Sequence, residues 1–272
     1  MKGPTTSMTL TADAASLWLR RFHPAQEMNN RLICFPHAGG SASFYFPVSK
    51  ALSVRTDVVA IQYPGRQDRR NEPCIETIAE LADQVSWFIR PLADRPLTFF
   101  GHSMGAILSF EVARRLEATG IVLSGFFASG RRAPSAYRDE RVHLRDDNGL
   151  LADVRALSGT DSQLLSDEEI VSMVLPAIRS DYKAAETYRY QPGPELRCPI
   201  FALVGDKDPK ATVDEARVWG MHTTGPFLCR VFRGGHFYLN SHAPTIIDII
   251  AEHLGSIPSS AQRTRSAQNA GQ

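Results

Sequence analysis

Residues 97–105 read Leu97-Thr98-Phe99-Phe100-Gly101-His102-Ser103-Met104-Gly105, and this stretch decides the fold. A short strand-like run, 97–100, turns through a G-x-S-x-G pattern into a helical stretch expected over 104–119. A serine on so sharp a strand-to-helix turn is held exposed, and the flanking glycines let strand and helix approach closely. The helix start beneath it aims backbone N–H groups and positive potential at the same point. A bare pentapeptide of this form is weak evidence. The strand before it and the helix after it make Ser103 the candidate nucleophile.

Working outward, the same alternation repeats. Leu32-Ile33-Cys34-Phe35 and Val58-Val59-Ala60-Ile61 are short apolar runs, each ended by a Pro/Gly turn. Over 75–92 the apolar positions recur at three and four residues, which predicts a helix stopped shortly before Pro96. Further strand-like runs follow at 121–128, 199–204 and 227–232, with helices near 213–220 and 244–254. Runs apolar on both faces, alternating with helices, imply a mainly parallel sheet covered by helices, an α/β class. One segment breaks the rhythm. Residues 135–190 show only helical stretches such as Glu168-Glu169-Ile170-Val171-Ser172-Met173, entered at Pro134 and left through Gln191-Pro192-Gly193-Pro194. This reads as a helical lid inserted on the sheet's edge between hinge-like turns, with residues 16–134 and 191–255 as the core. Residues 1–15 and 256–272 hold few large apolar side chains and are expected to be frayed and disordered, respectively.

The whole chain fits this picture. It has 272 residues, 43% hydrophobic, enough for one large core. Lys+Arg 30 against Asp+Glu 29 leaves a net charge of +1, without the basic field a nucleic-acid binder needs. No apolar run approaches the roughly 18 residues of a membrane span, and the N-terminus lacks a signal-peptide pattern. The four cysteines, Cys34, Cys74, Cys198 and Cys229, stand apart without a C-x-x-C pair, which suits free thiols in a reducing cytoplasm. Neither they nor the eight histidines are grouped at metal-ligand spacing, so no metal is expected, and chemistry at a serine nucleophile needs no organic cofactor.

A serine nucleophile needs a base, and the base an orienting carboxylate, in the chain order Ser, acid, His on such a scaffold. Phe232-Arg233-Gly234-Gly235-His236-Phe237 places His236 after the last strand. Its rivals fit less well. His222 precedes that strand, His242 starts the final helix as a cap or surface residue, and His253 sits at its end, where a cation suits the dipole. Val204-Gly205-Asp206-Lys207-Asp208-Pro209 offers two acids: Asp208 is better placed to reach across, and Asp206 suits a local turn contact. Oxyanion donors would be the N–H of Met104 and that of Ala38 in Pro36-His37-Ala38-Gly39-Gly40, with Gly39 as the fallback. His37 and His102 read as packing or loop-fixing residues.

These pieces, together with Tyr63-Pro64-Gly65-Arg66, resemble the type II thioesterases of polyketide and non-ribosomal peptide assembly lines, members of the α/β-hydrolase fold. The resemblance spans about residues 16–255. It implies Ser103, Asp208 and His236 as the catalytic triad and Ala38 and Met104 as the oxyanion donors. It also implies a separate, cytoplasmic, monomeric enzyme that clears stalled acyl groups from the phosphopantetheine arm of acyl or peptidyl carrier proteins, with the pantetheine belonging to the substrate. Short tails favour a free-standing chain over a chain-releasing thioesterase fused to its synthase. A medium-chain fatty acyl-carrier-protein hydrolase is the remaining enzymatic alternative. The Y-P-G-R segment speaks against a general esterase, and the complete triad against a non-catalytic carrier-binding protein. Two questions stay open here: whether Arg66, Arg69-Arg70 and Arg131-Arg132 meet an acidic carrier or are solvated loop charge, and whether Leu150, Leu151, Val154, Leu157, Met173, Val174 and Leu175 line an acyl chamber or pack the lid on the core.

Overall fold

The computed structural model of the protein describes residues 12–25, 28–158 and 168–257. Seven strands form one sheet: β1 (Leu19–Arg20), β2 (Asn30–Phe35), β3 (Thr56–Ile61), β4 (Leu97–His102), β5 (Gly125–Ser129), β6 (Ile200–Gly205) and β7 (Phe227–Phe232). They lie in the order β1-β3-β2-β4-β5-β6-β7. All pairings are parallel except β1 with β3, a two-residue antiparallel edge too short to leave a sequence pattern. Strands β2 to β5 are buried at every position, as their unbroken apolar runs require, whereas the edge strand β7 is half-open along its length.

Alternate residues feed two cores. Ile33 and Phe35 of β2 face the side covered by α1 (Ala12–Trp18), α3 (Ile78–Ile89) and α4 (Met104–Glu117). Leu32 and Cys34 face the side covered by α2 (Phe46–Leu52), the single turn α8 (Tyr238–Ser241) and α9 (Ala243–Ser256). Helix α3 begins three residues later than its periodicity suggests, because the Thr77 side chain accepts the Glu80 N–H and caps it there. Its last turn tightens over Arg90–Leu92, where Pro91 lacks the N–H to continue an α-helix. The helix expected near 213–220 is a short α7 (Val213–Arg217), started by a Thr212–Glu215 capping box, followed by a tighter turn over Val218–His222.

Three expectations are corrected. Residues 12–15, expected to be frayed, belong to α1, which Trp18 fastens by stacking on Phe88 with ring centroids 5.6 Å apart; residues 1–11 lie outside the described residues. Of the tail, Ser256 ends α9 and Ile257 packs on its core, while 258–272 lie outside the described residues. The insertion leaves from β5 and returns to β6, which are neighbours inside the sheet, so it rises over the strands' carboxyl ends and not at a lateral edge. It holds a turn at Val142–Leu144, α5 (Asp147–Ser158) and α6 (Glu168–Thr187), with 159–167 outside the described residues. Register then does the positioning. Phe35 aligns with Gly101, Gly101 with Ala128, and Gly205 with Phe232, so the loops after β2, β4, β6 and β7 emerge side by side.

Candidate active site

The turn after β4 is as strained as its sequence implies. Ser103 has φ 56° and ψ −119°, a region that L-residues avoid. A Cβ on Gly101 would come within 2.3 Å of the Gly105 carbonyl oxygen, and one on Gly105 within 2.1 Å of the Phe35 carbonyl oxygen. Only glycine allows α4 to start this close to β2 and β4. The Ser103 N–H donates to Ser129 O at 2.8 Å, which holds the turn against the neighbouring strand.

Three loops meet on Ser103. Its Oγ lies 2.9 Å from His236 Nε2, and His236 Nδ1 lies 2.9 Å from each carboxylate oxygen of Asp208. An ionised carboxylate only accepts, so Nδ1 carries the proton and Nε2 faces the serine as acceptor. Asp208 is buried and its Oδ1 also takes the Lys210 N–H at 2.8 Å. Asp206 stays exposed, and among the described residues the imidazole's two nitrogens bond to Asp208 and Ser103 and not to it. It accepts the Gly234 N–H at 2.8 Å, tying the acid loop to the histidine loop, a longer reach than the local turn contact expected of it.

The 36–40 loop lies on the other side of Ser103. Tyr45 and Tyr63 hydroxyls donate to the carbonyls of Phe35 (2.8 Å) and Pro36 (3.1 Å). Gly39 N–H donates to Asp181 Oδ2 at 2.7 Å, so it is already taken. Among the described residues no acceptor takes the N–H of Ala38 or of Met104, and both residues line the cleft with Ser103 and His236. This separates Ala38 from the Gly39 fallback. Two free N–H groups beside a serine whose hydroxyl is bonded to an imidazole can stabilise an anionic tetrahedral adduct.

His37 and His102 flank His236 as packed rings. His102 is buried with its Nδ1 3.0 Å from Ser129 Oγ, which in turn lies 2.7 Å from the Tyr238 hydroxyl. His37 sits edge-on to Phe44 and Phe237. Burial, reinforced by positive charge at His236, holds His102 far below the usual histidine range and His37 down to about 3. Both stay neutral, which avoids a second cation beside the imidazolium. His222 is buried among Phe110, Trp219 and Tyr190, its Nε2 2.8 Å from Ser135 Oγ, and burial pushes it down to about 4. His242 holds the N-cap position of α9, where its carbonyl accepts the Ile246 N–H at 3.0 Å, while its Nε2–H donates to Arg233 O at 2.9 Å and not to the helix. His253 is not a dipole-matched cation: its ring packs on Phe127 and Phe201, and burial lowers its pKa.

The insertion roofs a cleft of about 300 Å³ over Ser103. Val154, Leu157 and Val174 line it, together with Ile170, Ile178 and Tyr182. Leu150 and Leu175 instead pack within the insertion, Leu151 is buried, and Met173 is exposed. The arginine pairs answer to neither earlier reading. Arg66, Arg69, Arg131 and Arg132 are buried, and only Arg70 is exposed. Arg69 clasps Glu72 and the Gln62 carbonyl; Arg132 clasps Glu140 and the Lys210 carbonyl, so it braces the acid loop. Arg131 lines the cleft, and burial with Arg132 beside it pushes its guanidinium down to about 10. Asp181, on α6, is the residue that sequence reasoning missed. It lies 142 residues from Gly39 among other charged helix positions, and nothing local marks it out.

The thioesterase domain family matches residues 30–254. The chain is 51% identical over 251 residues to the thioesterase PikA5 of Streptomyces venezuelae, covering 92% of this chain and 89% of that one. It is 56% identical to the solved type II thioesterase BorB from the borrelidin biosynthetic cluster, with a TM-score of 0.84 and coverage of 88% and 98%. The thioesterase RedJ from the prodiginine pathway of Streptomyces coelicolor is 34% identical, with a TM-score of 0.80 and coverage of 85% and 88%.

Proposed function

The chain belongs to the thioesterase family, and on that premise we propose that it is a type II thioesterase that hydrolyses stalled or aberrant acyl groups from the phosphopantetheine arm of acyl or peptidyl carrier proteins. The observation that carries the reading is the hydrogen-bonded chain from Ser103 through His236 to Asp208, set under an apolar cleft. In this reading His236 Nε2 takes the Ser103 proton as Oγ attacks the thioester carbonyl. Asp208 keeps the imidazole in the correct tautomer and stabilises its cation. The oxyanion is held by the Ala38 and Met104 N–H groups, where losing a single donor typically costs about 100- to 1000-fold in rate. His236 returns its proton to the departing thiol, then activates the water that cleaves the acyl-enzyme. The steps draw on side chains and backbone alone, and the pantetheine arm arrives with the substrate. A cleft of about 300 Å³ stands at the small end of ligand sites and suits short acyl groups. Two further solved relatives, the type II thioesterase YbtT and ClbQ, come from NRPS/PKS pathways, which supports polyketide or peptide assembly over fatty-acid release.

The test is a carrier protein bearing propionyl on its arm, followed by intact-protein mass, with Ser103→Ala in parallel. Release by the wild type alone is expected. No release, with ready cleavage of a simple ester, would move the chain to the general hydrolases.

A further inference from the structure

The second half of α6 belongs to the segment expected to be a lid, yet it grips the loop beneath it. Asp181 is 1% exposed and uses both carboxylate oxygens: Oδ2 accepts the Gly39 N–H (2.7 Å) and Arg66 Nη1 (2.6 Å), and Oδ1 accepts Arg66 Nη2 (2.9 Å). The same Nη1 donates to the Gly40 carbonyl at 3.0 Å, and Arg66 is itself buried. One turn earlier, Ile178 packs so tightly under Gly39 that a Cβ there would fall 2.7 Å from its Cγ1.

These contacts bear on Ala38. The His37–Ala38 peptide is fixed because the His37 carbonyl accepts the Gly40 N–H at 2.9 Å, and in a trans peptide the Ala38 N–H must point the opposite way. The Ala38–Gly39 peptide is fixed by Asp181 through its N–H. With both peptides set, the direction of the Ala38 N–H is set too. We propose that Asp181 is a positioning residue for the reaction: with Arg66 it aims the Ala38 N–H at the oxyanion, so this half of α6 is part of the catalytic apparatus and not of a moving cover. The proposal rests on the reading of Ala38 as an oxyanion donor. It also explains the Tyr63-Pro64-Gly65-Arg66 segment, whose two outer residues both reach the 36–40 loop. Other anchors hold the same turns in place. Ser180 Oγ donates to Ile75 O of the core at 3.2 Å, and within the insertion Glu186 accepts the Val142 and His143 N–H groups at 3.0 Å each.

The experiment compares wild type, Asp181→Asn, Arg66→Lys, Lys183→Met and Ser103→Ala on a propionyl-pantetheine thioester, and measures binding of a trifluoromethyl ketone analogue that forms a hemiketal oxyanion on the serine. Asp181→Asn is expected to lower kcat about 10- to 100-fold with KM nearly unchanged, and to weaken the ketone in parallel with kcat/KM. Arg66→Lys keeps the charge but loses the fork, and should fall in the same direction by less; it carries the test if Asp181→Asn does not fold. Lys183→Met cuts only the exposed pair with Glu76 and should leave both readouts at wild type. Unchanged kcat and ketone affinity in both Asp181→Asn and Arg66→Lys, with Ser103→Ala inactive, would overturn the proposal alone. Undiminished turnover by Ser103→Ala would overturn the underlying reading and the proposal with it.

Discussion

Replacing Asp208 by asparagine removes one charge and almost no volume from a fully buried site, since neither carboxylate nor imidazole is appreciably exposed. The Lys210 N–H, 2.8 Å from Oδ1, keeps an oxygen in that position and turns the new amide nitrogen toward His236. Nδ1 was 2.9 Å from both oxygens, so two outcomes remain. Either Nδ1–H shares the remaining oxygen and the imidazolium loses its counter-charge, or the ring changes tautomer and points Nε2–H at Ser103, which then has no base. A triad of this geometry loses about 10,000-fold in kcat by that change. Asp206→Ala is the contrast. It deletes one exposed hydrogen bond to Gly234, about 1 kcal/mol, which is about fivefold in rate if all of it bears on the transition state. The assay is propionyl release from its carrier under single-turnover conditions, with circular dichroism to confirm folding. If Asp208→Asn keeps more than about a tenth of wild-type kcat, or if Asp206→Ala loses more than Asp208→Asn, the assignment of the acid is wrong.

Two further outcomes are expected. In Gly105→Ala the new methyl would sit 2.1 Å from the Phe35 carbonyl oxygen, where ordinary contact starts at 3.4 Å, so α4 must back away from β2 by about 1 Å. Activity should fall about 100-fold and thermal stability by roughly 1–3 kcal/mol; an unshifted melt with full activity would refute the close-approach argument. For pH, the unfolded chain protonates His222 near 6.5 but the folded protein only near about 4, so stability present above 6.5 is lost as pH falls toward 4. At 1.36 kcal/mol per unit the loss reaches roughly 3 kcal/mol, with neutral His102 adding in the same sense. The gap between urea midpoints at pH 7 and 4.5 should narrow in His222→Gln; an identical acid loss in that variant would exclude His222 as a source.

What the sequence by itself determined is whatever short-range stereochemistry dictates. Apolar runs at strand length, the three-and-four spacing of 75–92, and glycines bracketing Ser103 each specify local backbone, and together they imply the parallel sheet and the turn that exposes the serine. His236 follows from the same logic, since a loop after the last parallel strand must emerge beside Ser103. Tertiary structure decided the rest, through partners that sequence order alone does not single out. Asp206 and Asp208 stand two residues apart in one loop, and only the packing of the histidine loop gives one to Gly234 and the other to His236. Ala38 differs from Gly39 because Asp181, 142 residues away, takes the Gly39 N–H. The arginine pairs read as surface charge because sequence shows a guanidinium but not the carboxylate or carbonyl that lets it be buried. Local sequence sets the direction of each backbone segment; which polar groups then satisfy one another is settled only when distant segments close around the same dry space.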